Sequence, residues 1–400
     1  MKGASVDAEE ARTIGQQLRR IRKSRGKSRR VLAELAGMSR TTLQRIESGQ
    51  RALDKRSEVV ALATVLQIAP SELTRLPVPA PANGETDSAI GAVRQALMAV
   101  SRNRPGGQVV SVEELRARVQ ALHDPGYPRP DVGAALPSLI RDLHTSIAAG
   151  QDVAELLGMA VLFHTQDTRG WLWLHGAPLD LRWQASCFAQ RAAQELDNPT
   201  ALGVAAWGAV IEMIGGGAFD LAETELESLS VPTNSPESMQ LAGMLALSRS
   251  LVAASDRRPG DVDAPLEYAA ELAQRTGQGN AYWMGFGPTN VGIWRMTAAL
   301  EVGDHAGAAA LAEGVNPDEH PSRERQATYW IEYGRALARL RGREADAVMA
   351  FRRGEILYPI RLQRNMFARD VLAELLTRVR RGSPVDRELR GMAYRAGLPV

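Results

Sequence analysis

The sequence predicts an all-α protein, with a basic helical head over residues 1–76 and a long tail of repeated helical pairs. Three observations lead to this prediction. Apolar residues recur three and four positions apart over most of the chain, which is the spacing of amphipathic helices. Positive charge is concentrated before residue 77, and a glycine-led motif recurs in the second half of the chain.

Composition restricts the class of protein. A chain of 400 residues with 44% hydrophobic content is long enough for two or more units with buried cores. It has no run of 18 apolar residues and no signal-peptide pattern, so we expect no membrane partner. The single cysteine, Cys187, excludes an intramolecular disulfide and indicates the cytoplasm. Its apolar neighbours indicate a small core residue rather than a nucleophile.

Five short helices are predicted within the head. The first has one apolar stripe, formed by Ile14, Leu18 and Ile21. The second ends near Gly37, where glycine permits the left-handed conformation of a sharp turn, and Ser39 caps the third. The fourth and fifth helices have apolar sides formed by Val59, Leu62, Ala63 and Leu66, and by Leu73 and Leu76.

The third helix presents two different sides. Leu43 and Ile46, three residues apart, would face the core. The outer side carries polar and basic side chains that could reach the base edges of DNA, namely Arg40, Thr41, Thr42, Gln44 and Arg45.

The head resembles the Xre, or lambda-repressor-like, helix-turn-helix family. The resemblance is carried by Leu32-Ala33, Ala36-Gly37-Met38-Ser39 and Ile46-Glu47-Ser48-Gly49. It implies a five-helix domain over residues 11–76 that binds double-stranded DNA. This chain has Arg29 where the family most often has Gln, which leaves the preferred sequence open. The resemblance places the DNA contacts on Arg29, Arg30, Ser39, Arg40, Thr41, Thr42, Gln44, Arg45 and Arg51.

The charge distribution favours the same function. Residues 1–76 contain 16 Lys and Arg against 8 Asp and Glu, a net charge of +8, whereas the remainder carries −6. All lysines lie in the head. Its basic residues crowd the end of the first helix and the start of the second, where DNA phosphates would be met.

A stretch rich in Pro and Gly separates the head from the tail. Residues 77–88 are predicted to form a stiff, extended linker, and residues 89–400 to form the tail. Helices are predicted over residues 88–101 and 111–122, with a break at 123–130. The contact of a homodimer would lie on the first of these helices or on C-terminal helices around Val371, Leu375 and Leu376.

A motif repeats in the tail. Gly217, Gly303 and Gly342 are each followed by alanine five residues later, and Phe351 and Pro359 extend the match in the last copy. This spacing resembles the tetratricopeptide (TPR) turn. Gly260 lies midway between the first two copies, so the repeats are 43, 43 and 39 residues long and exceed the usual 34. We therefore predict a TPR-like solenoid with a concave surface.

The concave surface is the predicted site of a ligand. The stretch from Phe286 to Asn290 resembles a segment of actinobacterial regulators that join such a head to a helical-repeat tail. Aromatic, amide and charged side chains could bind a peptide or small molecule there, although aromatics at this spacing equally fit a helix core. The candidate ligand residues are Trp207, Ile211, Phe286, Asn290, Ile293, Trp294, Thr297, Tyr329, Glu332, Tyr333 and Arg339.

Motifs for catalysis are absent from the sequence. The six histidines have no metal-ligand spacing, and there is no phosphate-binding glycine loop or activated nucleophile. We expect no enzyme, metal or cofactor. The resemblance implies a cytoplasmic, nucleoid-associated transcription regulator that binds an inverted-repeat operator as a homodimer and senses a peptide or small-molecule effector. The alternative is a DNA-tethered adaptor whose groove binds a protein partner.

Overall fold

The computed structural model describes residues 13–74, 84–123, 129–398 and 400. Within these ranges the chain forms helices and turns without a β-strand, which confirms the predicted all-α class. The head contains α1 (Ile14–Ser24), α2 (Arg29–Leu35), α3 (Arg40–Glu47), α4 (Arg56–Leu66) and α5 (Pro70–Thr74).

The tail consists of longer helices that follow one another along the chain. They are α6 (Gly84–Ser101), α7 (Val112–Ala121), α8 (Arg129–Ala148), α9 (Val153–Leu162), α10 (Arg169–Leu174), α11 (Leu179–Leu196), α12 (Pro199–Gly216), α13 (Phe219–Ser228), α14 (Pro236–Ser255), α15 (Asp263–Thr276), α16 (Pro288–Val302), α17 (His305–Glu313), α18 (Arg323–Leu337), α19 (Glu344–Leu357), α20 (Pro359–Gln363), α21 (Met366–Arg378) and α22 (Pro384–Arg395).

The last residues of the predicted linker between head and tail are helical in the structure. Residues 75–83, which include most of the predicted linker, lie outside the described residues, as do residues 124–128 of the predicted break. Residues 84–88 belong to α6 rather than to a linker. The prediction of an extended linker rests on its prolines, and all of these precede Gly84. No proline follows that would prevent a helix from beginning at Gly84.

The two apolar stripes considered for a dimer contact are used inside the chain. On α6, Val93 and Leu97 are fully buried, because this helix packs along α8. On α21, Val371 and Leu375 are also fully buried, in a core formed with α18, α19 and α22. These four side chains therefore pack within the chain, whereas Leu376 of the second stripe is only partly buried.

The glycine-led repeats are antiparallel helical pairs. Gly217 separates α12 from α13, Gly303 separates α16 from α17, and Gly342 precedes α19 after α18. All three have positive φ angles, of 76°, 92° and 76°, which side chains with a Cβ rarely adopt. Gly260 lies in the short 3-10 turn between α14 and α15, so the midway position also marks a turn between paired helices.

One helix of this stack, α12, has the length and apolar composition of a membrane span. In this fold it is instead an inner helix of the stack, because it contacts α11, α13 and α14. Small residues permit these close contacts: a Cβ at Gly203 would lie 2.8 Å from Val231, and one at Gly208 would lie 3.0 Å from Thr165.

The head lies against one edge of the tail, where successive tail helices end. Val60 of α4 packs on Gly217 after α12, so closely that a Cβ there would be 2.9 Å from its Cγ1. The Arg257 side chain, just after α14, donates to the Ser57 carbonyl at 3.3 Å, and Lys55 lies beside Gly303 after α16. The C-terminal ends of helices carry partial negative charge, which complements the basic head.

Candidate nucleic-acid interface

The turn between α2 and α3 is built from local caps. The Ser28 hydroxyl accepts the N–H of Val31 at 3.2 Å, and the Ser39 hydroxyl accepts the N–H of Thr42 at 3.0 Å. Gly37 has a φ of 68°, as the sharp turn requires. Leu32 and Leu43 are fully buried between the two helices. These contacts hold α2 and α3 in a fixed orientation.

The outer side of α3 is open to solvent. Arg40, Thr41, Gln44 and Arg45 are exposed, as the sequence predicts for side chains that read bases. Ser39 and Thr42, which were also predicted to contact DNA, bond to each other through their hydroxyl groups at 2.9 Å. Their side chains therefore serve the helix cap in this structure.

A buried carboxylate joins α3 to α1 and α2. Glu47 accepts hydrogen bonds from Arg22, with Nη2 3.0 Å from Oε2, and from Arg29, with Nε 2.6 Å from Oε2. Burial alone would raise the pKa of Glu47, but these two arginines hold it below its ordinary value. Arg29 is thus positioned by α3, with part of its side chain still exposed.

Arg22 belongs to the basic residues predicted to meet DNA phosphates, but it has a buried structural role that the sequence prediction missed. It is 7% exposed and donates to the Lys27 carbonyl as well as to Glu47, so it fixes the α1–α2 turn. This role could have been predicted from the Ile46-Glu47 motif, because a carboxylate that faces the core requires a cation beside it. Of the remaining predicted DNA contacts, Arg30 is exposed and Arg51 pairs with Glu58 at 2.7 Å.

The start of α1 and the loop between α3 and α4 are bonded to the tail. The N–H groups of Ile14 and Leu53 donate to Asp370, at 3.3 and 2.6 Å, and that of Ala52 donates to Glu374 at 2.7 Å. Burial raises the pKa of Asp370 to about 7, although the two N–H donors act in the opposite direction.

Ion pairs across the same interface add to these bonds. Arg339, two residues after the end of α18, lies 2.9 Å from Asp54 and 2.5 Å from Glu374. Arg335 donates to the Asp54 carbonyl at 2.7 Å, and Arg56 of the head pairs with Glu301 of α16. Burial alone would raise the pKa of the Asp54 carboxyl, but Arg339 and Arg335 hold it below its usual value.

An aromatic ring also lies in the interface between the head and the tail. Phe367 of α21 is 3% exposed and packs into the apolar core of the head. The guanidinium of Arg335 lies 4.9 Å from its ring centroid and that of Arg56 lies 5.3 Å away, which is within the range of cation–π contacts. The tail therefore contributes part of the head's own core.

The predicted ligand residues are divided between two apolar clusters. Phe286 and Trp294 are buried in one, against which Trp207 and Ile211 pack half-buried. Ile293 and Tyr329 are buried in the other, beside Tyr333. The structure therefore does not gather the eleven residues on one open surface.

The polar members of the set have partners inside the tail or in the head. Asn290 donates to the Gly285 carbonyl at 2.9 Å and accepts from Arg325 at 2.7 Å. Thr297 and Tyr329 donate to backbone carbonyls of Ile293 and Ala312. Glu332 pairs with Arg335 at 2.5 Å, and Arg339 contacts the head as described above.

The described residues contain no group of three or more His, Cys, Asp or Glu arranged to hold a metal ion. Cys187 is half-buried, and burial raises the pKa of its thiol, which lowers its reactivity as a nucleophile.

Comparison with known proteins concerns the head above all. Residues 13–76 match the family described as a helix-turn-helix domain. No curated protein matches the chain. Among solved structures, the chain is similar to the crystal structure of Bacillus thuringiensis PlcR in complex with the peptide PapR7 and DNA. Identity is 11%, with 88% of this chain and 95% of that chain covered and a TM-score of 0.27, a level that carries no inference about this chain.

One conclusion follows from the family match, from the capped helices α2 and α3, and from the exposed outer side of α3. The chain therefore carries a helix-turn-helix domain of this family over residues 13–76, followed by a tail of stacked helical pairs.

Proposed function

We propose that this protein is a cytoplasmic, sequence-specific DNA-binding transcription regulator, acting as a homodimer on an inverted-repeat operator. The observation that carries the proposal is the division of the head into two sides. The exposed side of α3 presents Arg40, Gln44 and Arg45, whereas the start of α1 and the loop between α3 and α4 are bonded to the tail through Asp370 and Arg339. Arg pairs well with guanine and Gln with adenine in the major groove.

The tail controls the orientation of the head in this proposal. Buried ion pairs tolerate little change in geometry, since separating the partners leaves an uncompensated charge. A change in the tail at Arg335 or Arg339 is therefore transmitted to the loop that contains Asp54. In a dimer, the orientation of each head sets the spacing between the two recognition helices.

A peptide or small-molecule effector acts on this same connection. Glu332, one of the candidate ligand residues, holds Arg335, which in turn donates to the Asp54 carbonyl of the head. A ligand that engages Glu332 or Arg335 would compete with that contact. It would shift DNA binding only if its affinity differs between the docked and undocked arrangements of the head.

The test is in vitro selection of genomic DNA fragments by the full-length protein at about physiological salt, where nonspecific phosphate binding is weak. The wild type is compared with a triple variant, Arg40→Ala, Gln44→Ala and Arg45→Ala. The matched control replaces two arginines and one glutamine that are exposed on the tail, Arg323→Ala, Arg341→Ala and Gln194→Ala.

We expect an inverted repeat to be enriched by the wild type and the control, but not by the α3 variant. Equal enrichment by all three proteins would overturn the assignment of base reading to α3. Absence of any enriched sequence would contradict the regulator function and favour the adaptor, which would then be sought through its protein partner.

A further inference from the structure

A cleft of about 540 Å³ lies between the head and the last helices of the tail. Its head side is formed by the start of α1, including Arg19, and by Ser48 and Gly49, which directly follow α3. Its tail side is formed by α21 and α22, including Arg381 and Arg390. Residues that are more than 300 positions apart in the sequence thus face one another across one cleft.

The charge of this cleft is positive. Arg19 and Arg381 are exposed, and within the described ranges neither forms an ion pair with a carboxylate. Arg390 pairs with Asp386 at 3.0 Å and keeps a side chain that is 31% exposed. Glu47 is the one acidic side chain in the lining, and it is already paired with Arg22 and Arg29.

The cleft also adjoins the base-reading surface. Ser48 follows Gln44 by four residues, which corresponds to about 6 Å along a helix axis. A recognition helix enters a major groove about 12 Å wide, which is bounded on both sides by sugar-phosphate backbone. A surface beside the end of α3 therefore lies on the side of the helix from which the sugar-phosphate backbone borders the groove.

We propose that Arg381 and Arg390 of the tail, together with Arg19 of the head, bind backbone phosphates of the DNA beside the bases read by α3. The inference rests on the proposed DNA-binding function and extends the DNA-binding surface from the head to the tail. The tail then has two roles: it holds the head in position, and it contributes affinity that does not depend on base sequence.

This arrangement has a measurable consequence in the salt dependence of binding. Each phosphate neutralised by Lys or Arg releases condensed counterions, so the logarithm of the binding constant falls against the logarithm of salt concentration with a slope of about −0.9 per contact. Loss of the Arg381 and Arg390 contacts should reduce the magnitude of that slope by about 1.8 for each bound protomer, or about 3.6 for the proposed homodimer. The preference among sequences should remain, since these contacts do not touch bases.

The experiment measures dissociation constants of the full-length protein from about 50 to about 200 mM salt, the range over which phosphate contacts are lost. Two duplexes are used, the selected operator and a random sequence. The variants are Arg381→Gln alone and Arg381→Gln with Arg390→Gln. The single variant guards against misfolding, because Arg381 is exposed and forms no ion pair in the described chain. The control is Arg323→Gln with Arg341→Gln, two exposed tail arginines outside the cleft.

For the proposed homodimer, in which each substitution removes one contact per protomer, we expect the single and double variants to reduce the slope by about 1.8 and 3.6 on both duplexes, with the control unchanged. Slopes equal to the wild type in both variants would overturn the inference and leave the cleft to a small anionic ligand. If the wild type prefers no sequence but the slopes still fall as expected, the cleft binds phosphates and only the sequence-specific function fails. If the wild type binds neither duplex, both proposals fail.

Discussion

Arg339 and Asp54 lie 285 residues apart in the sequence, yet their side chains form a buried ion pair between the tail and the head. The two side chains are 13% and 2% exposed, so Asp54 depends on this arginine and its neighbour for compensation of its charge. Arg339 also donates to the Ala52 carbonyl and pairs with Glu374, so a single side chain contacts three points of the interface.

Replacing Arg339 should loosen the head on the tail. Removal of one partner from a buried pair costs about 3–5 kcal/mol, because the other charge remains buried without compensation. The Arg339→Ala variant should therefore unfold at lower denaturant concentration and show faster hydrogen exchange at the amides of Ala52 and Leu53. The control is Arg343→Ala. The side chain of Arg343 is 42% exposed, and that of its partner Asp346 is 55% exposed.

An ion pair as exposed as that of Arg343 and Asp346 contributes little to stability, because water screens both charges. The free energy of unfolding should therefore change little in the control. Equal destabilisation of the two variants would contradict the role given to Arg339 in docking the head.

Asp370 should make stability fall as the pH rises. Burial raises its pKa to about 7 in the folded protein, whereas in an unfolded chain an aspartate titrates near 3.9. The folded state therefore binds this proton more tightly, and the stabilisation is fully present below about pH 4 and lost as the pH rises through about 7. The measurement is the difference in unfolding free energy between wild type and Asp370→Asn across about pH 5 to 8.

Because asparagine does not titrate, the difference isolates Asp370 from other groups. We expect the wild type to lose stability relative to the variant as the pH rises. A difference that is constant with pH would show that Asp370 is ionised throughout this range.

The histidine pair in the first half of the tail should act in the opposite direction. The Nε2 atoms of His144 and His164 are 2.8 Å apart, a contact in which one nitrogen donates and the other accepts, so the two rings cannot both be protonated. Burial lowers the pKa of His144 to about 4 and that of His164 well below its ordinary value. Their stabilisation is present above about pH 6.5 and is lost as the pH falls toward 4.

The melting temperature of the wild type should thus fall between pH 7 and pH 5. It should fall less in a variant with His144→Gln and His164→Gln, since glutamine takes up no proton. Parallel melting curves for the two proteins would contradict the assigned neutral pair.

Gly243 should tolerate no side chain, because Phe286 packs directly on it. A Cβ at this position would overlap the Phe286 ring, which is fully buried. Overpacking a core costs about 1–3 kcal/mol, so Gly243→Ala should lower the free energy of unfolding. Gly158 is the matched control, since it also lies inside a helix but has nothing within 4 Å of its Cβ position.

Gly158→Ala should stabilise by up to about 1 kcal/mol, because alanine has the higher helix propensity. If both variants were stabilised, Phe286 would be mobile enough to move aside, and its assignment to the core rather than to a ligand site would be wrong.

The head helices were predictable from the sequence because the interactions that define them are local. Ser28 and Ser39 cap the helices that they precede, and Gly37 adopts a positive φ at the predicted turn. The tail turns at Gly217, Gly303 and Gly342 were predictable for the same reason. In each case the physical cause lies within a few residues of its effect.

The candidate ligand site could not be predicted from local interactions in the same way. Asn290 lies in the first turn of α16 and Phe286 lies just before it, and the sequence alone assigns both residues equally to a groove or to a core. In the structure, Asn290 bonds to Gly285 and Arg325, and Phe286 packs on Gly243. Helical periodicity identifies which side of a helix is apolar, but it does not identify what that side contacts.

By itself, the sequence determined the all-α class, the helix-turn-helix head and the glycine turns of the tail. Only the tertiary structure decided how the head is held, through bonds from Ile14 and Leu53 to Asp370 and from Arg339 to Asp54, and that Arg19 and Arg381 face one cleft. Local propensity acts over a few residues, whereas these contacts join positions hundreds of residues apart. These long-range contacts depend on the stacking of the whole tail, because the head lies against the edge of the tail where successive helices end.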